Sequence, residues 1–280
     1  MKEKPLVTVV IPIYNAEPYL DNAIRSVINQ TYTNWELMLL DDGSTDGSLA
    51  IAQRYADKDD RITVYSDGEN KGLVPRLNQS IEMANGDYYA RMDADDIMYV
   101  TRLEKQVAVL ESNPMADLVF SSFMTIDKDN NIIGSGYLES GKQPFPHPTI
   151  MACMDWFRVY NYDEWAVRAE DFELWCRTSA KSNFMVIKEP LFFYREFGVQ
   201  TIGNILHSYN TQRKIYAHFS DYGRTFFWCL IHTLSLLAKM LICICYSMTG
   251  NLDKFIALRR RKPVPENMCL SAQDLMDSIK

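Results

Sequence analysis

Val7-Thr8-Val9-Val10-Ile11-Pro12-Ile13-Tyr14-Asn15 is the stretch that decides the fold. Residues 6–13 form an apolar run rich in β-branched side chains, the pattern of a strand covered on both faces inside a parallel sheet. A Pro-Ile-Tyr-Asn turn ends it. Leu20, Ile24, Val27 and Ile28 then recur at helical spacing, which predicts a helix over 18–30.

The same alternation continues outward. Residues 35–40 read as a second buried strand, cut off by Asp41-Asp42-Gly43-Ser44. Helices are expected over 48–56, 73–84 and 101–111, and strands over 62–65, 87–92 and 118–123. Asn85-Gly86 closes the third helix and Asn113-Pro114 stops the fourth. Strands alternating with helices predict an α/β fold, a Rossmann-like, mostly parallel sheet flanked by helices on both faces. Such sheets take ligands in the crevice beyond the carboxyl ends of their strands. Asp41-Asp42 and Asp93-Ala94-Asp95-Asp96 both stand at those ends.

From about residue 130 the pattern changes. Residues 131–138 read as a hairpin or irregular strand and 143–147 as a Pro-rich loop. Helices are expected over 170–182 and 207–219, with strands over 184–187 and 191–194. The organisation expected is therefore a domain over 1–220, divided by the change of pattern into halves at 1–125 and 126–220. A helical membrane-associating segment follows at 221–262, then a mobile tail at 263–280.

Composition narrows the function. With 29 basic against 36 acidic residues the net charge is −7, which argues against a nucleic-acid binder. The basic residues gather late, in Arg213, Lys214, Arg224, Lys239, Lys254 and Arg259-Arg260-Arg261-Lys262, as a region suited to an anionic surface. The six cysteines contain no Cys-x-x-Cys pair and the N-terminus leads straight into a strand. Both features fit reduced thiols and a cytoplasmic location.

Residues 226–248 are apolar over a length that could span a bilayer, which takes about 20 residues. His232, Ser235 and Lys239 nevertheless fall on one narrow stripe. Spanning would also carry the basic run across the membrane from a cytoplasmic domain, against the positive-inside tendency. An amphipathic helix lying at the cytoplasmic face, with the basic run near anionic lipid, fits better than a spanning or a packed core helix.

The acidic clusters suggest the chemistry. A departing diphosphate is stabilised by a hard divalent cation held by one or two carboxylates. In extended chain Asp93 and Asp95 point the same way and supply that donor set. Taken alone, the triplet is equally a solvated turn, and Asp41-Asp42-Gly43-Ser44 is equally a turn with a helix cap.

Taken together, the motifs resemble the family 2 glycosyltransferases of the GT-A fold. Residues 7–15, Asp41–Ser48, Asn70-Lys71-Gly72-Leu73 and Asp93-Ala94-Asp95-Asp96 stand in that family's order, followed by His147-Pro148-Thr149 and Glu170-Asp171-Phe172-Glu173-Leu174-Trp175. The resemblance implies an inverting transfer of one sugar from a nucleoside-diphosphate sugar, UDP being the commonest carrier, usually with Mg²⁺ or Mn²⁺. The acceptor expected is a glycan of a bacterial cell-surface polysaccharide, and the apolar segment at 226–248 adds the expectation that it is lipid-linked. The resemblance places Pro12, Tyr14, Asn15 and Asp42 at the nucleotide, Arg76 near the diphosphate, and Asp93 near ribose or metal. It further implies that 1–125 is the nucleotide-sugar-binding half and 126–220 the acceptor half, that Asp95 ligates the metal, and that Asp171 is the general base, with Glu170, His147 and Trp175 on the acceptor side.

Bland alternatives stand beside these roles. Glu170-Asp171 could simply suit a helix N-terminus, His147 could be structural, and Trp156, Trp165 and Trp175 could be core. Two departures are visible. Tyr194-Arg195-Glu196-Phe197 lacks the nearby His that many relatives carry, and the Gln-x-x-Arg-Trp signature of processive synthases is absent. A nucleotidyltransferase would need a Gly-rich basic loop after the first strand, and residues 13–17 offer none. A non-catalytic nucleotide- or glycan-binding subunit is the remaining alternative.

Overall fold

The computed structural model describes residues 4–136, 146–196, 202–218 and 225–251. These pack as two units. The first holds the described residues up to Asn161 together with Ser182–Glu196, and the second holds Tyr162–Lys181 with the described part of Phe197–Arg261. The Arg259–Lys262 run and the tail expected at 263–280 lie outside the described residues.

In the first unit, β1 (Val7–Ile13) buries every side chain except that of Pro12. It pairs in parallel with β2 (Trp35–Asp41), from Val7 opposite Trp35 to Ile13 opposite Asp41, and with β4 (Tyr88–Arg91) on its other side. β2 pairs in parallel with β3 (Ile62–Ser66), giving the order β3-β2-β1-β4. α1 (Leu20–Ile28), α2 (Ser48–Ala56), α3 (Leu73–Met83) and α4 (Arg102–Ser112) connect and flank these strands. Val9, Ile11, Ile13, Leu37, Leu39, Leu20 and Ile24 are fully buried in one core. Each such aliphatic side chain stabilises the fold by about 1.5–3 kcal/mol. The chain steps outward from β1 to β3 and then returns to the far side of β1. A crevice therefore opens at the carboxyl ends of β1 and β4.

Beyond β4 the expected parallel sheet becomes mixed. β8 (Met151–Cys153) runs antiparallel to β4 and to β6 (Leu118–Ile126). β7 (Ile132–Gly136) runs antiparallel to β6, while β9 (Phe184–Arg195) is parallel to β6 and carries the short β5 (Ile97–Met98) antiparallel at the edge. No crossover helix lies among the described residues between β6 and β8, and without one a strand cannot return parallel. The two strands expected at 184–187 and 191–194 are one strand. Its ladder jumps from Ile187, opposite Ser121, to Pro190, opposite Ser122, leaving Lys188 and Glu189 as a bulge. β5, β8 and the short helix α5 (Met154–Val159) were not legible in the sequence.

The second unit contains α6 (Glu170–Thr178), α7 (Ile202–Ala217) and α8 (Phe226–Met248). Ile205 and Tyr209 of α7 pack on Leu236 and Cys243 of α8, while Ala169 and Cys176 pack on Ile215. Leu236 and Cys243 are the buried residues of α8. Phe226, Phe227, Leu230, Ile231, Leu234 and Leu241 remain exposed on it.

Candidate active site

The loops after β1 and β2 are stitched together by side chains. Asn15 sits at φ +50, and its Oδ1 accepts the Thr45 N–H at 2.8 Å. In return the Asn15 N–H donates to Ser44 Oγ at 3.1 Å, and the Ala16 N–H to Ser48 Oγ at 2.8 Å. Asn15 is thereby a clamp on the Asp41–Ser48 loop. Tyr14 stays 54% exposed beside it, at the mouth of the crevice.

Asp42 is buried and fully engaged. Its carboxylate accepts the N–H groups of Lys71 (2.8 Å) and Gly72 (3.0 Å) and the Nε–H of Arg76 (2.9 Å). Arg76 spends its other donors on Asp67, Gln79 and the Glu69 carbonyl. A guanidinium has five N–H donors, and all are used inside this loop system. Arg76 therefore ties the loops after β2 and β3 to α3 with all five donors engaged in this structure. Hydrogen bonds from Arg76 and Lys71 hold the Asp67 carboxyl well below the usual range. Gly43 makes the approach possible. It sits at φ +72, and a Cβ there would lie 2.9 Å from the Asn70 nitrogen.

The third loop follows β4. Carboxylate oxygens of Asp93, Asp95 and Asp96 all lie within 4.8 Å of one another. Asp93 is paired with Arg91 Nη2 at 2.6 Å. Asp96 is 1% exposed, and its Oδ1 accepts the Arg195 N–H at 2.6 Å. Its Oδ2 is buried with no hydrogen-bond partner among the described residues. Burial first, and the Asp93 charge second, push the Asp95 carboxyl up to about 6 and that of Asp96 well above its ordinary value. Clustered hard oxygens, one of them orphaned, fit Mg²⁺ or Mn²⁺, which take oxygen ligands at about 2.0–2.2 Å.

Cations support the loop from below. Arg102 is fully buried and donates from Nη2 to the carbonyls of Arg91 and Ile150, both at 3.0 Å. This fixes the end of β4 under Asp93. His147 lies 5% exposed in a 3-10 turn (His147–Thr149) that follows the undescribed residues 137–145. Burial, with the nearby Arg91, holds its imidazole well below the ordinary value, so it is neutral.

In the second unit, Glu170 and Asp171 open α6, whose first turn also holds Glu173. Glu170 is buried, Asp171 is half-buried, and Asp171 Oδ1 accepts the Phe172 N–H at 2.7 Å. Glu173 is fully buried and pairs with Arg177 at 2.9 Å. Trp175 is only 1% exposed, so its ring belongs to the core and offers no face for a sugar. Trp156 is buried as well and donates from Nε1 to Ser182 Oγ in the first unit. Trp165 is the exposed one of the three, at 39%.

Asp96 stands inside the Asp93-Ala94-Asp95-Asp96 motif and Arg195 beside Tyr194, yet no sequence pattern gives either of them, or Arg102, a part in this loop. Arg102 reaches the Arg91 and Ile150 carbonyls 11 and 48 residues away, and Arg195 reaches the Asp95 carbonyl 100 residues away, separations that no local pattern records.

The parallel β3-β2-β1-β4 sheet, with an aspartate cluster after β4, defines an α/β domain of the kind that takes a ligand beyond the carboxyl ends of its strands. The family model for glycosyl transferase family 2 matches residues 8–171, more than half of the chain. The chain belongs to that family. It is 35% identical over 243 residues to EpsE of Bacillus subtilis, named as a glycosyltransferase, covering 79% of this chain and 87% of EpsE. It is 42% identical over 104 residues to TuaG of the same organism, named for teichuronic acid biosynthesis, covering 37% of this chain and 41% of TuaG. The fold is similar to that of the mannosyltransferase PcManGT from Pyrobaculum calidifontis, solved with GDP-Man and Mn²⁺. The TM-score is 0.64 at 15% identity, over 99% of this chain and 81% of that one.

Proposed function

We propose that this glycosyltransferase moves one sugar, with inversion, from a nucleoside-diphosphate sugar to a glycan or lipid-linked glycan during cell-surface polysaccharide synthesis. The observation that carries the reading is the Asp93/Asp95/Asp96 cluster at the carboxyl end of β4, with a buried oxygen on Asp96 that has no hydrogen-bond partner among the described residues. Further support comes from TuaG for the polysaccharide class and from PcManGT for a nucleotide-sugar donor with a metal.

In this reading Pro12, Tyr14 and Asn15 border the nucleotide, and Asp42 with Arg76 fixes the wall against which the base and ribose lie. Asp93, Asp95 and Asp96 hold Mg²⁺ or Mn²⁺, with Asp95 the principal ligand. When bound, the cation supplies Lewis-acid neutralisation of charge on the departing diphosphate. Asp171 takes the proton of the acceptor hydroxyl as that oxygen bonds to the anomeric carbon and the carbon–phosphate-oxygen bond breaks. Single displacement by an oxygen arriving opposite the leaving group inverts the anomeric centre. Glu170 and His147 shape the acceptor side.

The exposed apolar face of α8 is the surface we assign to the cytoplasmic face of the membrane, lying in the interface. The helix is long and apolar enough to cross a membrane, but Lys239 and Ser235 are exposed midway along it. Such polar residues sit more cheaply at an interface than in hydrocarbon.

The test is calorimetric titration of UDP, GDP, CDP and dTDP with Mn²⁺ or Mg²⁺ on wild type and Asp95→Ala. Metal-dependent binding of one nucleotide, abolished in the variant, is the expected result. Nucleotide binding indifferent to both metal and variant would remove the site assignment.

A further inference from the structure

Arg195, the last residue of β9, is 4% exposed and reaches three separate segments of the first unit. Its Nε–H donates to the Asp95 carbonyl, Nη1 to the Asp127 carbonyl and Nη2 to Asn130 Oδ1, each at 2.6 Å. Its backbone N–H donates to Asp96 Oδ1. The guanidinium carbon lies 4.5 Å over the Tyr19 ring, on the segment that follows the nucleotide-side loop of β1.

The turn it grips is preorganised. Asp127 Oδ1 accepts the N–H groups of Asp129 and Asn131 at 2.8 and 2.9 Å. Asn130 sits at φ +68, a left-handed conformation that asparagine tolerates better than most residues. Arg195 thus ties the aspartate loop, the 127–131 turn and the start of α1 to one rigid fork.

We propose that Arg195 is the positioning residue of the cation site: it holds the Asp95–Asp96 backbone in register with the 127–131 turn, so that the carboxylates converge. The inference rests on the reading of Asp93, Asp95 and Asp96 as cation ligands. Three of the four contacts come from a planar guanidinium, a fork that lysine cannot reproduce although it keeps the charge. Partners that orient a ligand in this way govern metal affinity without touching the metal.

Mn²⁺ binding to the full-length chain, followed by paramagnetic resonance with and without UDP, tests this. Wild type, Asp95→Ala, Arg195→Lys and Asn130→Gly are compared, with the thermal midpoint of each measured alongside. Arg195→Lys is expected to bind Mn²⁺ about 10- to 100-fold more weakly, so that restoring the charge does not rescue the site. Asn130→Gly, which keeps the left-handed turn but deletes one acceptor, is expected to weaken binding in the same direction with its midpoint preserved. Arg195→Lys and Asn130→Gly binding Mn²⁺ like wild type, while Asp95→Ala does not, would overturn the positioning role and leave the cation site standing. Uptake absent from wild type, or unchanged in Asp95→Ala, would remove the cation site and the proposal with it. Should Arg195→Lys fail to fold, Asn130→Gly decides the question.

Discussion

Arg76 Nε and Asp42 Oδ1 are 2.9 Å apart, with both side chains almost entirely removed from solvent. The pair joins the loop after β2 to the first turn of α3. Breaking a buried pair from one side strands the other charge and costs about 3–5 kcal/mol. Arg76→Ala should therefore show itself as a large fall in chemical-denaturation stability. A variant of native stability that lost only diphosphate affinity would instead make Arg76 a phosphate ligand.

Gly43 should be almost irreplaceable. Its φ of +72 and the 2.9 Å approach to the Asn70 nitrogen leave no room for a side chain. Gly43→Ala is expected to cost about 1–3 kcal/mol from backbone strain, and to displace the 69–72 segment from Asp42. Thermal unfolding together with nucleotide titration measures both effects.

The pH dependence follows from Asp95. Its folded-state pKa of about 6 lies above the ordinary carboxylate value. The stability this carboxyl contributes is therefore present at low pH and is lost as pH rises through about 6, where it must ionise among like charges. Metal binding needs the ionised form. Mn²⁺ should raise the thermal midpoint clearly at pH 7.5 and hardly at pH 5, with the crossover near 6. An increment independent of pH over that range would separate Asp95 from the metal.

Asp171→Asn should lower turnover by about 10²–10⁴-fold while leaving nucleotide affinity intact. Steady-state kinetics paired with calorimetry distinguishes this from a folding defect. Near-normal turnover would take the base role away from Asp171.

The exposed face of α8 offers a prediction on membranes. Leu234 and Leu241 are 56% and 65% exposed, so replacing both by Glu should leave stability within about 0.5 kcal/mol per site. Co-sedimentation with anionic vesicles should fall sharply in the double variant. Wild type that never sediments with such vesicles would exclude the membrane reading.

Much of the sheet was legible because it is written locally. β1 and β2 are continuous apolar runs, α1 repeats its buried residues at helical spacing, and Asp41 and Asp93 mark where the strands stop. Other features were hidden for identifiable reasons. β8 is three residues long and β5 two, too short to carry a period. The burial of Trp175 is hidden too, because an aromatic residue in a motif looks the same in sequence whether its ring faces solvent or core.

The sequence by itself determined the alternation of strands and helices, the loops that carry the aspartates, and the apolar character of residues 226–248. These follow from hydrophobic period and turn chemistry, which act over a few residues. Tertiary structure alone decided that Arg76 serves Asp42, that Asp96 keeps one oxygen without a partner among the described residues, and that Arg195 grips Asp95 from 100 residues away. Those outcomes depend on which buried polar groups find partners once the strands are paired. That matching is global, because a donor spent on one acceptor is unavailable to every other.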